Sequence, residues 1–209
     1  MKNNKKETEL KIKQLEAEIK IEKENIKFYG MSPAQKRVSI AKDVILQIKT
    51  KRFISMAGNG YIENEELDAL ITDESNECEL KSILNKTKNP CIVCGIGSLF
   101  VSEISKRNNF KVNTDIIDSV NKINSEKIKK RFKGIFSEHQ LDLIETAFEK
   151  RVVNEDNNLL GVGEGFYLGF CFTKLAEKYI NFGKSFKEDN DRLIAIMNNI
   201  IVNNGTFKV

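Results

Sequence analysis

Tryptophan is absent from this chain, histidine occurs once, and proline occurs only at Pro33 and Pro90. So few prolines argue against a linker-rich string of modules and suit long helices. No apolar run approaches the roughly 20 residues that a membrane-spanning helix needs; the longest, around 159–172, is broken by glycine. The basic start, Met1-Lys-Asn-Asn-Lys-Lys, is not followed by the apolar stretch of a secretory leader. These absences lead to the expectation of a cytoplasmic protein without membrane contact. Its four cysteines, Cys78, Cys91, Cys94 and Cys171, are then expected to be reduced.

Catalytic constellations are equally scarce. There is no Gly-x-Ser-x-Gly elbow and no His-Glu-x-x-His pair. The single histidine, His139, falls in the first turn of a capped helix, where a side chain is ordinarily solvated, and a general base needs a positioned partner. Gly161-Val-Gly163-Glu-Gly165 lacks both Gly-Lys-Ser/Thr and the dinucleotide glycine spacing, and so reads as a flexible connector. No catalytic residue and no cofactor are expected. The class is a binding protein rather than an enzyme.

What the chain does have is segregated charge. Residues 1–52 hold 14 Lys or Arg against 7 Asp or Glu, residues 53–80 hold 8 acidic residues and no basic one, and residues 106–133 hold 9 basic residues against 3 acidic. The formal net charge of +4 hides these swings. Blocks of one sign create local fields that attract an oppositely charged partner. The candidate basic contacts are Lys127, Lys129, Lys130, Arg131 and Lys133, with Phe132 among them, and Lys36 and Arg37 upstream. Such side chains neutralise phosphates and release counterions, and a neighbouring aromatic ring can stack on an unpaired base. Glu63, Glu65, Glu66 and Asp68 lead the acidic block, which reads either as a solvated helix face or as an anionic surface for a partner's nucleic-acid groove.

Periodicity predicts a mostly-α or all-α fold: a helical bundle, 31–209, preceded by a charged helical arm, 1–30. In the arm, Ile12, Leu15, Ile19 and Ile26 recur at spacings of three and four with Glu22 filling the gap, a coiled-coil-like stripe of about three heptads. The stripe can pack on its own domain, self-associate, or dock on a partner. Tyr29-Gly30 ends that helix. Ser32 then caps the next, with Pro33 at its first helical position and Val38, Ala41, Ile45 and Ile48 on the buried face. Residues 53–61 read as irregular or as a short hairpin, 65–71 and 78–85 as short helices, and 90–106 as a helix opened by Pro90. Cys91, Cys94, Gly95, Gly97 and Ser98 give this last segment a small-residue face suited to close approach of another element. Two helices are expected over 114–122 and 125–132. Ser137 and Gln140 form a capping-box pattern ahead of Leu141, Ile144, Ala147 and Phe148. Residues 152–165 read as a loop, 166–182 as a buried helix, and 189–203 as a final helix capped by Asp189 and stopped by Gly205.

Cys91-Ile-Val-Cys94 is the sharpest local motif. Two thiolates at this spacing can clamp zinc, but a tetrahedral site needs two more ligands, and no second Cys-x-x-Cys exists. Apolar neighbours favour a core role instead. Cys91 and Cys94 therefore remain the weak metal candidates, with a zinc-stabilised interaction module as an alternative reading.

Four stretches, 32–44, 89–100, 136–149 and 192–201, resemble uncharacterised proteins encoded by bacteriophages and prophages. Together they cover about a quarter of the chain. The resemblance assigns no activity. It implies an accessory protein that disarms a host defence system, such as an RNA-guided CRISPR nuclease, by occluding a nucleic-acid or protein surface. The implied partner is a host protein or ribonucleoprotein in the bacterial cytoplasm. Direct RNA or DNA binding is the alternative.

Overall fold

The computed structural model describes residues 26–58, 61–64, 66, 87–107, 130–149 and 174–209, the strand pairs 78–79, 111–112, 152–153 and 159–160, and scattered helical positions between 9 and 23. The fold is mostly α. Helix α1 (Pro33–Lys49) starts as its sequence dictates: Ser32 Oγ accepts from the Gln35 backbone N–H, the Gln35 side chain accepts from the Ser32 N–H, and Pro33 occupies the first helical turn. It ends in a Schellman-type turn. The Arg52 N–H reaches Gln47 O at 2.9 Å and the Lys51 N–H reaches Ile48 O at 3.0 Å, with Lys51 in the left-handed region.

Strand β1 (Phe53–Ser55) follows, then β2 (Ile62–Glu63) and β3 (Cys78–Glu79). Next come β4 (Cys91–Val93), α2 (Gly95–Arg107) and β5 (Lys111–Val112). A helical turn at 130–132 precedes α3 (Glu138–Glu149), β6 (Val152–Val153), β7 (Leu159–Leu160), α4 (Lys174–Lys184) and α5 (Asp189–Val202). A three-stranded sheet has the order β1-β4-β2, with β1 parallel and β2 antiparallel to the central β4. Two antiparallel pairs, β3 with β5 and β6 with β7, complete the strands among the described residues.

Helix α1 packs on α5 and α2, and α3 packs on α4, α2 and α5. Ile40, Val44, Ile96, Leu99, Phe100, Ile104, Ile144, Phe148, Leu193, Ile196, Met197 and Ile200 form one buried core. Phe28, at the end of the N-terminal helix, belongs to it. The buried Arg192 ties three helices together. Its Nε donates to Gly183 O at 3.2 Å, Nη1 to Phe148 O at 2.5 Å and Nη2 to Asp189 Oδ1 at 2.6 Å. Carbonyls at the C-terminal ends of α3 and α4, which have no intrahelical donor, are thereby satisfied.

Several expectations need correction. Cys91-Ile-Val-Cys94 does not open a helix: residues 91–93 are the central strand, and α2 begins at Gly95. Residues 53–61, expected as irregular or as a short hairpin, make no hairpin: 53–55 are β1, and β4 lies between β1 and β2 in the sheet. Residues 78–79 are strand rather than helix, and 152–153 with 159–160 pair across a segment expected to be loop. Asp189 is the first residue of α5 rather than its cap; Glu188 holds the cap position without a side-chain bond. Gly205 ends the helix as expected, with Asn204 before it also in the left-handed region. The small-residue face behaves as argued: a Cβ on Gly97 would collide with the Tyr61 carbonyl, and one on Gly95 would lie 3.1 Å from Phe148. The helix expected over 114–122, residues 125–129 of the helix expected over 125–132, the glycine cluster at 161–165 and the start of the helix expected from 166 lie outside the described residues.

Candidate functional site

The basic side chains that the sequence separates converge around one buried carboxylate. Glu103, on α2, has no exposed surface. Arg131 Nε donates to its Oε2 at 2.5 Å, and Arg107 Nε lies 2.6 Å from its Oε1. Lys36 on α1 adds its charge to the same carboxylate. Burial pushes the Glu103 carboxyl up, while Arg131, Arg107 and Lys36 pull it in the opposite direction.

Aromatic rings support the cluster from the N-terminal helix. Arg107 lies over Phe28 at 5.9 Å and over Tyr29 at 5.7 Å, and Lys36 lies over Phe28 at 5.9 Å. Phe28 is buried, but 47% of Tyr29 is exposed. The 130–136 turn continues the surface. Lys130 and Lys133 are exposed, while Phe132 is fully buried and stacks edge-on against Phe136 at 5.3 Å. Arg37 binds this turn to the C-terminus: its Nε donates to Gly205 O at 2.5 Å and its Nη1 donates to Ile135 O. Desolvation lowers its pKa.

The predicted basic residues thus divide by role. Lys130 and Lys133 are exposed, and Lys36 is half-buried over Phe28. Arg37 and Arg131 spend donors inside the protein, because the carbonyls of residues 135 and 205 and the buried Glu103 require them. Phe132 fills the core and offers no stacking face. Lys127 and Lys129 lie outside the described residues. Two members of the surface escaped the sequence argument. Tyr29 was read only as a helix terminus, and Arg107 only as one of the nine basic residues of 106–133; neither position reveals that the two chain segments meet.

The acidic candidates are placed differently. Glu63 is in β2, and Glu66 Oε2 accepts from the Lys88 N–H at 2.8 Å. The Glu66 N–H donates to Asn64 Oδ1 at 2.9 Å. Glu66 is therefore partly committed to its own fold. Glu65 and Asp68 lie outside the described residues.

Cys91 and Cys94 are both buried. Burial raises both thiols, and the Glu149 charge raises Cys94 further. Asn64 Nδ2 donates to Cys91 Sγ at 3.8 Å and the Gly97 N–H donates to Cys94 Sγ at 3.3 Å. Protonated buried thiols are poor nucleophiles and poor metal ligands. Among the described residues, no three of His, Cys, Asp and Glu are grouped to hold a metal ion. His139 sits exposed in the first turn of α3, behind the capping box that Ser137 and Gln140 form.

A cavity of about 250 Å³ opens between α1 and α2, lined by Lys51, Arg52, Lys88 and Cys91 among others. Asp43 is the one carboxylate in its lining among the described residues. Lys106 Nζ lies 3.1 Å from Asp43 Oδ1, and Gln47 donates to Oδ2 at 3.3 Å. The acid is therefore already matched by Lys106 and Gln47.

No described helix is long and apolar enough to cross a membrane. No protein-family model, curated protein or solved structure matches the chain.

Proposed function

We propose that this protein works by contact rather than by catalysis, and that its surface around Glu103 binds the phosphate backbone of a nucleic acid. The observation that carries this reading is convergence. Lys36 from α1, Arg107 from α2 and Arg131 from the 130–136 turn gather about a single internal acid, beside the half-exposed Tyr29, and Lys130 and Lys133 are exposed on the same turn as Arg131. Glu103 is one negative charge against the three cations Lys36, Arg107 and Arg131 that act on it, so this group of side chains is net positive. Lysines attract phosphate without reading sequence. Tyr29, backed by Arg107, supplies a face on which an unpaired base can stack, so a single strand is favoured over a duplex.

The resemblance to phage and prophage proteins sets this surface in a host-defence context. There, the bound strand is RNA carried by a nuclease, and binding blocks access to it. The acidic block contributes less to this mechanism than the basic surface, since Glu66 is engaged by Lys88.

The test is a mobility-shift assay at low salt with a short single-stranded RNA. Wild type forms a complex, the combined variant Lys36→Glu, Lys130→Glu, Lys133→Glu does not, and Tyr29→Ala weakens binding about fivefold or more. No wild-type complex with RNA or DNA under these conditions sinks the reading.

A further inference from the structure

The N-terminal helix has an apolar seam that the rest of the chain leaves uncovered. Positions 9, 11–13, 15, 16, 19, 20, 23 and 26–29 are helical. Along them Ile12 is 50% exposed, Leu15 51%, Ile19 54% and Ile26 62%. The seam therefore does not pack on its own domain, the more ordinary of the uses its sequence allowed. Among the described residues of the helix, Phe28 is the one that joins the buried core.

The chemistry of the seam selects its occupant. With Ile12 at heptad position a, Ile19 and Ile26 also fall at a and Leu15 falls at d. β-Branched residues at a with leucine at d favour two parallel strands, because each knob then enters a hole of matching shape. The flanks agree. In a parallel, in-register pair each g residue meets the e residue five positions on in its partner. Lys11 at g then meets Glu16 at e, and Glu18 at g meets Lys23 at e. Lys11, Glu16 and Lys23 are all exposed. In the antiparallel arrangement that pairs a with d about residue 17, Glu16 and Glu18 each face their own copies.

We propose that residues 5–28 pair with the same segment of a second copy as a parallel two-stranded coiled coil. The interaction is weak and reversible, for two reasons. The seam is only about three heptads long, and the sequence puts Glu22 at the d position between Ile19 and Ile26. Two like charges then face each other across the seam and oppose association.

The test is sedimentation equilibrium of the full chain, with circular dichroism to check that each variant keeps its helix. Wild type shows concentration-dependent dimerisation. Glu22→Leu tightens it by about tenfold or more, and Ile19→Asp abolishes it. Lys11→Glu weakens it about fivefold to tenfold. Adding Glu16→Lys to Lys11→Glu restores it, since the pair is re-formed with its signs exchanged. A chain that stays monomeric both as wild type and as Glu22→Leu overturns the proposal. So does a dimer that ignores Lys11→Glu or is not rescued by Glu16→Lys, because only the parallel register joins those two positions.

Discussion

Arg131 and Lys130 are neighbours in sequence with the same charge, yet their surroundings give them different work. Arg131 reaches the buried Glu103, and its side chain is only 13% exposed. Lys130 is exposed. Removing Arg131 leaves the buried Glu103 with Arg107 and Lys36 as its remaining opposing charges and takes the donor from its Oε2. Arg131→Gln is therefore expected to lower stability by about 3 kcal/mol, measured by urea denaturation at neutral pH. Lys130→Gln is expected to stay within about 0.5 kcal/mol of wild type. The loss for Arg131→Gln also depends on pH. Burial raises the Glu103 carboxyl, so the folded chain holds that proton at a higher pH than the unfolded chain does. Protonation removes the stranded charge, and the destabilisation shrinks as pH falls through that raised range. Equal losses for the two variants contradict this division of roles. Sequence alone cannot separate them, because five basic residues between 127 and 133 look alike until burial is known.

At the scale of elements, helices with a local start signal were legible and the sheet was not. Ser32-Pro33, the Ser137–Gln140 box and the apolar spacing over 189–202 each announce a helix with a local cause, and each helix formed. The strands of the three-stranded sheet are two or three residues long. Alternation needs more residues than that to register, and only long-range pairing places 91–93 between 53–55 and 62–63. Gly97 shows how the two kinds of element depend on each other. Glycine to alanine within a helix ordinarily adds about 1 kcal/mol of stability. Here the Tyr61 carbonyl, from the segment leading into β2, occupies the space a methyl would take. Gly97→Ala is expected to reverse the usual sign and cost about 2 kcal/mol, read as a lower denaturation midpoint with an unchanged slope. A stabilised variant contradicts the close approach.

For the whole molecule, the charge blocks were visible in the sequence, but their arrangement was not. Folding brings part of the 106–133 block to the start of α1 and the root of the N-terminal helix, while Glu63 and Glu66 belong to β2 and the turn after it. If the N-terminal helices pair in parallel, two copies of the basic surface lie at the same end of the coil, and a single strand can bridge them with an avidity neither copy has alone. The two ideas are separable, since Ile19→Asp removes the pairing without touching Lys36, Lys130 or Lys133. The most direct measurement is the salt dependence of RNA affinity in the Ile19→Asp background, which keeps the binding unit a monomer. A phosphate-binding surface built on three lysines predicts log affinity falling linearly with log salt, with a slope of about −2 for a single strand. That slope should flatten when Lys36, Lys130 and Lys133 are all reversed to Glu. An affinity that ignores salt, or a reversed variant that binds as wild type does, contradicts it.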